Sequence, residues 1–402
     1  MHRLSLLVTL AGCVLLVGPS TGAYGRIKLI TLPVRERVEV QLDHPNITLV
    51  EEERIVPLVK GVNQVDFSWA NTRIDPNTIV FRVIGPGGDR NEDAPEINVL
   101  SVSYPPNENA LVWQVASSKP GSARVRISYV LGNLTKSFNY RAVAANDEAT
   151  LVLSQYMRLQ NLANEEFGSS DIWAGFGPRF HKPIGINETK EMLVEKFRQV
   201  PITKTYTCNP AEFDYLDRPK NKLRVPMHYV IKNDKANGLG AAPLPFGKVR
   251  IFQDDGRGTT AFLGEDWGKF TPIDDEMKLY LGVAQDIVVK RTIEKNERHR
   301  VAGNLYDYEI IIKYEIENFK NKPVILDVAE DLRYVRNEVR RDTGRDVEWE
   351  LGKQTTLGDP DKEDTTQQRV VFHVNLPAAS RGKNGKAQKI VHKLHVIIRN
   401  EW

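Results

Sequence analysis

Alternation of apolar and polar residues with a period of two runs through almost the whole chain and constrains its fold more than any other feature. This period places successive side chains on opposite faces of a strand, one face buried and the other in water. Half-buried antiparallel strands are built in this way, so the sequence predicts an all-β protein. The clearest runs lie at Val34–Leu42, Ala123–Leu131, Tyr308–Ile316, Val370–Leu376 and Ile390–Ile398.

Short polar turns separate these runs and indicate how the strands are connected. Residues 254–258 (Asp-Asp-Gly-Arg-Gly) have the composition of a hairpin turn. Strands at short spacing favour two or three antiparallel β-sandwich-like domains over parallel α/β units. One short helix is predicted near residues 188–200. Its basis is the helical spacing of Leu193, Phe197 and Val200.

Stretches rich in Pro and Gly suggest where the domains divide. A chain of 402 residues is long enough for several cores. The charged segment 333–368 is interpreted as an extended surface loop or hairpin of the last domain. The predicted division is a signal peptide (1–23), an N-terminal β-domain (24–115), a middle β-domain with the short helix (116–225) and a C-terminal β-sandwich domain (226–402).

The first residues have the pattern of an export signal. Arg3 precedes an apolar run, Leu4–Val17, that is shorter than the ~20 residues a membrane-spanning helix needs. Cleavage after Ala23 would release the chain outside the cytoplasm, as a periplasmic or secreted protein. The alternative is a lipid-anchored envelope protein, because Leu10–Cys13 resembles a bacterial lipobox with Cys13 as the lipidated residue.

Net charge bears on the classes of partner, and cysteine content bears on how the fold is stabilised. The formal net charge is +3, and loss of Arg3 with the signal would leave +2. This balance gives no electrostatic reason to expect nucleic acid as a partner, and a membrane is expected only through a lipid anchor. Without Cys13, Cys208 is the remaining cysteine, so stability is expected from ordinary burial and not from an intramolecular disulfide.

Candidate catalytic and metal-binding residues have weak support. Cys208 with His228 as base is one possible nucleophilic pair, but a buried or incidental cysteine is favoured. His392 and His395, three residues apart on a strand, would point to opposite faces. The acidic segment 359–364 offers oxygen ligands for Ca²⁺ but lacks EF-hand spacing, so a solvated turn is favoured. We predict no catalytic residue, no metal site and no cofactor.

Aromatic residues are the remaining candidates for recognition. Most of the six tryptophans are expected to anchor sandwich cores. Trp267 lies in the turn-like sequence Gly264–Gly268 and is the best candidate for an exposed recognition aromatic.

Two parts of the chain carry a family resemblance. The first comprises Asn46–Arg54, Lys60–Asn63 and Arg73–Pro76, and the second comprises Leu244–Arg250, Phe262–Asp266, Leu281–Gly282 and Asp286. Together they resemble the bacterial domain-of-unknown-function 4139 family, also called mucoidy-inhibitor-A-like, in a short form without a coiled-coil insertion. The resemblance implies an exported β-rich protein with no established enzymatic activity, and it supplies no catalytic residues.

These observations favour an exported, non-catalytic protein that binds another protein or a cell-surface polymer at the bacterial cell envelope. Antiparallel sandwiches offer sheet edges and loop clusters for such binding. The alternative is an extracytoplasmic hydrolase acting on glycan or peptide. A pocket that joins two carboxylates to an aromatic wall would favour that alternative.

Overall fold

The computed structural model describes residues 28–44, 46–88, 95–340, 346–379 and 388–401. These residues form 26 strands and one α-helix, so the predicted all-β class is confirmed. The first thirteen strands are β1 (Lys28–Thr31), β2 (Arg37–Gln41), β3 (Thr48–Leu58), β4 (Gly61–Ser68), β5 (Val80–Pro86), β6 (Ile97–Ser103), β7 (Ala110–Ser117), β8 (Gly121–Leu131), β9 (Leu134–Ala144), β10 (Thr150–Asn161), β11 (Phe167–Trp173), β12 (Phe180–Ile184) and β13 (Thr189–Pro201). The others are β14 (Thr203–Cys208), β15 (Tyr215–Asp217), β16 (Lys222–Leu223), β17 (Pro226–Lys232), β18 (Gly247–Asp254), β19 (Thr260–Gly268), β20 (Glu276–Val283), β21 (Ile287–Ala302), β22 (Leu305–Asn318), β23 (Val324–Asp331), β24 (Glu348–Leu351), β25 (Arg369–Leu376) and β26 (Lys389–Glu401), and the helix is α1 (Leu332–Arg340).

The chain divides into two compact units. Unit 1 is formed within Met1–Asn133, Leu162–Ile172 and Phe180–Asn187, and unit 2 within Leu134–Asn161, Trp173–Arg179 and Glu188–Trp402. The segment 116–225, predicted as a middle domain, is shared between them, because β11 and β12 join a sheet of unit 1 whereas β9, β10 and β13 join a sheet of unit 2. The predicted signal peptide, including Cys13, lies outside the described residues. In the described part of the chain no helix is long and apolar enough to cross a membrane.

The predicted helix near residues 188–200 is wrong, because this segment is strand β13. It pairs with β10 along almost its whole length, and the register shifts between Gln155 and Tyr156 and between Leu151 and Leu153 of β10. Each shift inserts one extra residue into β13, so the side chains that follow it lie on the opposite face from the one that strict alternation predicts. Bulges therefore break the period of two and place Phe197 and Val200 at a spacing that imitates a helix.

The helix lies instead at α1, which begins at Leu332 and covers the start of the charged segment 333–368 that is interpreted as a loop or hairpin. Leu332, Val335 and Arg336 are its buried residues, so its apolar stripe is short and contains a charge. The Asp331 carboxylate accepts a hydrogen bond from the Tyr334 backbone N–H (3.0 Å) and satisfies one N-terminal donor. The prediction failed here because an arginine occupies a core position in a nine-residue helix.

Unit 1 is a sandwich of two sheets. Their strand orders are β1-β4-β7-β6 and β12-β11-β2-β3-β8-β5. The two sheets meet through aromatic side chains: the ring of Phe67 on β4 lies 5.9 Å from Trp113 on β7 and 5.9 Å from Tyr129 on β8. All three residues are buried, as the alternating pattern predicts for core positions.

Unit 2 contains three sheets, with strand orders β13-β10-β9-β18-β19, β20-β17-β14-β23-β25 and β15-β16-β21-β22-β26-β24. We call the second of these the central sheet. One core cluster packs Tyr229 and Leu279 of the central sheet with residues of β9, β10 and β18. A second cluster packs Tyr206 and Phe372 with residues of β21, β22 and β26. Cross-strand pairing places all four side chains on the same face of the central sheet, so this face is covered along its width.

A charged network is enclosed in the second cluster. The Arg291 guanidinium donates to both carboxylate oxygens of Glu330, through Nε (2.6 Å) and Nη2 (3.1 Å). Tyr314 also donates its hydroxyl to Glu330, and Arg291 lies 2.7 Å from Glu338. Arg291 and Glu330 are 2% and 1% exposed, so the protein itself must satisfy both charges.

Candidate functional site

The opposite face of the central sheet is open. Pairing of Thr205 with His228, Thr207 with Asp327, and Asp327 with His373 places all of these side chains on that face. None of them belongs to either core cluster. Five strands spaced by about 4.8 Å make this face roughly 19 Å wide. The open face is therefore a polar floor rather than a second core.

A groove with a volume of about 1550 Å³ lies over this face. Its floor includes Thr205, Thr207 and His228 in the middle of the sheet and Asn375 on the edge strand β25. Both polar and apolar side chains line it. A volume of this size exceeds that of common small-molecule pockets, so the groove has room for a larger ligand.

An aromatic wall borders the groove beside the edge strand β20. The rings of Phe246 and Trp267 stack with centroids 5.1 Å apart and an angle of 3° between their planes. Trp267 is 53% exposed and Phe246 is 57% exposed, and both line the groove. The structure thus places the predicted recognition aromatic at a concave site, next to a phenylalanine that the sequence pattern does not single out.

Local geometry holds this wall in place. Asp266 accepts hydrogen bonds from the backbone N–H groups of Trp267 (2.8 Å) and of Tyr280 on β20 (2.7 Å). A Cβ atom at Gly247 would lie 2.4 Å from the Phe138 carbonyl oxygen, so only glycine permits this approach of β18 to β9. The residue before it, Phe246, is thereby fixed at the rim of the groove.

A histidine held by carboxylates lies on the opposite side of the groove, on β25. The Nδ1 atom of His373 is 2.8 Å from Asp327 Oδ1, and its Nε2 atom is 3.2 Å from Asp361 Oδ2. Burial acts against protonation, but hydrogen bonds and charge from Asp327 and Asp361 raise the pKa of His373. Asp361 Oδ1 accepts from the backbone N–H groups of Glu363 (2.8 Å) and Asp364 (2.7 Å), which shapes the acidic segment as a turn.

The other sequence candidates are not brought together. Cys208 is fully buried on the core face of the central sheet, whereas His228 lies on the open face. Burial raises the pKa of the Cys208 thiol, which opposes thiolate formation. His392 binds the Thr356 carbonyl oxygen (2.9 Å), while the Nε2 atom of His395 lies 3.2 Å from Glu309. The turn predicted at Asp254 and Asp255 is confirmed between β18 and β19.

The tryptophans differ in exposure. Trp69 and Trp113 are buried in unit 1, and Trp173 and Trp349 are partly buried. Trp267 is the most exposed of the five tryptophans that the structure describes. His373 was missed because its partners Asp327 and Asp361 are 46 and 12 residues away, and sheet register alone joins them.

No family model matches the chain, and no curated protein is significantly similar to it. The resemblance described from the sequence therefore stays a prediction. The assignment of function rests on the groove and its side chains.

Proposed function

We propose that the chain is an exported, non-catalytic binding protein of the bacterial cell envelope whose groove binds a cell-surface polysaccharide. The observation that supports this best is the groove of about 1550 Å³ with its exposed Phe246–Trp267 wall above a polar floor. Export is inferred from the apolar segment Leu4–Val17 and the small residues that follow it.

The side chains suit a ligand that carries many hydroxyl groups. Sugar rings present C–H faces that pack on aromatic rings, and hydroxyl groups that need hydrogen-bond partners. The wall supplies aromatic rings, and Thr207, His228 and Asn375 supply donors and acceptors on the floor. This combination favours a polysaccharide over a wholly apolar ligand.

A protein strand added to the central sheet is less favoured, because such binding needs a free edge. On the edge strand β20, the backbone N–H of Tyr280 donates a hydrogen bond to the Asp266 carboxylate. The edge strand β25 is engaged by the Asp361 backbone N–H, which donates to the Val371 carbonyl oxygen (2.8 Å). Each edge strand therefore has at least one backbone group that is already hydrogen-bonded.

Binding is tested by titrating the protein with soluble polysaccharide released from bacterial envelopes while tryptophan fluorescence is recorded. We expect Trp267→Ala to weaken binding by about 10- to 100-fold, since an exposed aromatic anchor contributes roughly 1.4–2.8 kcal/mol. Because the variant loses the main reporter, affinity is measured in parallel by calorimetry.

Phe262→Ala is the matched control. Phe262 lies on the same strand, β19, and is 59% exposed, but it does not line the groove. We expect this variant to bind like the unmodified protein. Equal losses in the two variants, or no binding of any envelope polysaccharide, would contradict the proposal.

Hydrolysis of a glycan is the second candidate function. The groove joins the carboxylates of Asp327 and Asp364 to an aromatic wall, which is the arrangement that favours this alternative. Paired carboxylates are the usual catalytic groups of glycoside hydrolysis. If the groove hydrolyses its ligand, incubation with the bound polysaccharide will release reducing ends, and Asp327→Asn will abolish the release. Binding without release would exclude this candidate.

Export has a direct test in the mass of the mature protein. Expression of the full chain in a bacterium should give a soluble extracytoplasmic protein that starts at Tyr24. A lipid-modified Cys13 in the membrane fraction would replace secretion by the lipid-anchored alternative.

A further inference from the structure

Two clusters of histidine and carboxylate groups in the described residues bring three potential metal-ligand atoms within 4.8 Å of one another. The groove cluster consists of Asp361, Asp364 and His373. The hairpin cluster consists of Glu297, His299 and Glu309, on the long β21–β22 hairpin. Each cluster has two carboxylates and one imidazole, so the two can be compared for their capacity to bind a metal ion.

The hairpin cluster already contains a cation. Lys295 Nζ lies 3.0 Å from Glu297 and 2.8 Å from Glu309, so one ammonium group balances both carboxylates. A metal ion would have to displace this lysine. The hairpin cluster is therefore an ion-pair network.

The groove cluster differs because neither Asp361 nor Asp364 forms an ion pair with lysine or arginine in the described ranges of the chain. The ionisable side chain that contacts Asp361 there is His373 itself. Two carboxylates thus lie beside one imidazole, and a divalent cation would have no lysine or arginine side chain to displace. Charge balance favours metal binding here and opposes it in the hairpin cluster.

The geometry of the groove cluster is also compatible with a bound ion. Ligand atoms about 2.0–2.2 Å from a tetrahedral Zn²⁺ are separated by roughly 3.3–3.6 Å. The Nε2 atom of His373 and the Oδ2 atom of Asp361 are 3.2 Å apart, so little movement is needed to accept an ion.

A hydrogen bond to Asp327 fixes the orientation of the His373 imidazole. Asp327 binds Nδ1 of His373 at 2.8 Å and leaves Nε2 directed at Asp361. A carboxylate on the far nitrogen sets the tautomer of a metal-binding histidine and raises its basicity. Asp327 comes from the neighbouring strand β23, so the feature is built into the sheet and is more than a group of surface acids.

We propose that Asp361, Asp364 and His373 bind one divalent transition-metal ion of the Zn²⁺ class, with Asp327 positioning the histidine. Three protein ligands leave a coordination position for water or for a ligand oxygen. His373 and Asp364 line the groove, so this position borders the groove. The imidazole ligand favours Zn²⁺ over Ca²⁺, which prefers an all-oxygen site. The site goes beyond the proposed polysaccharide binding and does not depend on it.

The test uses untagged full-length protein, stripped with EDTA and titrated with Zn²⁺ alone by isothermal calorimetry. We expect one ion per chain, at least 100-fold weaker binding in His373→Ala, and about 10-fold weaker binding in Asp327→Asn. Titration with Co²⁺ should give the visible absorption of a tetrahedral site, and His373→Ala should remove it.

His299→Ala in the hairpin cluster is the matched control and should leave Zn²⁺ affinity and the Co²⁺ spectrum unchanged. Metal-free melting curves of all variants establish that each is folded. Absence of stoichiometric Zn²⁺ binding, equal losses in His299→Ala and His373→Ala, or stronger binding of Ca²⁺ would overturn the proposal. No polysaccharide is present, so these outcomes are independent of the groove-binding experiment.

Discussion

The strand β23 presents a carboxylate to each face of the central sheet, and the two carboxylates differ in burial and in their partners. Glu330, on the buried face, accepts hydrogen bonds from Nε and Nη2 of Arg291 and from the hydroxyl of Tyr314. Asp327, on the open face, has the half-exposed imidazole of His373 as its hydrogen-bond partner. A buried charge must be satisfied completely by the protein, whereas a charge at a groove can keep part of its capacity for a ligand. Under the proposed function, the buried face serves stability and the open face serves recognition.

The largest effect is expected from breaking the buried pair. Arg291→Met leaves Glu330 uncompensated and should lower the free energy of unfolding by about 3–5 kcal/mol. Urea denaturation measures this change. The double variant Arg291→Met/Glu330→Gln removes both charges and should recover part of the loss. A single variant within about 1 kcal/mol of the unmodified protein would contradict the role assigned to this pair.

An intermediate effect is expected from Glu148, next to the buried face. Burial opposes ionisation, but hydrogen bonds from Lys204, Tyr229 and Lys322 lower the pKa of Glu148 to about 2, from 4.5. A carboxyl with a lowered pKa in the folded state stabilises the protein above its unfolded pKa. That contribution, about 2 kcal/mol, is lost as the pH falls from about 4.5 to about 2.

Urea denaturation across this pH range measures the contribution of Glu148. Glu148→Gln should be less stable at pH 6 and should show a shallower loss of stability on acidification. Parallel curves for the two proteins would rule out this contribution.

The smallest effect on stability is expected on the open face. Asp327→Asn keeps a hydrogen-bond acceptor for His373 at a partly exposed position, so the unfolding free energy should change by less than about 1 kcal/mol. The same variant should weaken Zn²⁺ binding, which distinguishes a positioning role from a structural one. A loss as large as that of Arg291→Met would remove the distinction between the two faces.

Much of the fold could be predicted because its signal is local. The alternation at Tyr308–Ile316 and Val370–Leu376 gives strands β22 and β25, and the Asp-Asp-Gly-Arg-Gly turn gives the β18–β19 hairpin. Sequence periodicity failed to predict secondary structure where bulges interrupt a strand or where a charged residue is buried. Bulges in β13 imitate a helix, and a buried arginine hides α1.

The site was less predictable because it depends on register. The sequence around Trp267 predicts a turn, but Gly264–Gly268 lies in strand β19; the predicted exposure of Trp267 is nevertheless correct, and Trp267 lines the groove. His373 and Asp327 lie 46 residues apart, and only the pairing of β23 with β25 brings them together. The same register separates Cys208 from His228 by placing them on opposite faces. Residue types alone contain no information on these pairings.

The order of strands in the central sheet has a consequence for folding kinetics. Its strands come from five segments between Thr203 and Leu376, and the parallel neighbours β14 and β23 pair Tyr206 with Leu326. Loops of this length must close before such pairs form, which slows folding. During synthesis the floor of the groove cannot be completed until β25 has emerged. We therefore expect recognition to appear late in folding, and a chain truncated before Arg369 to lack it entirely.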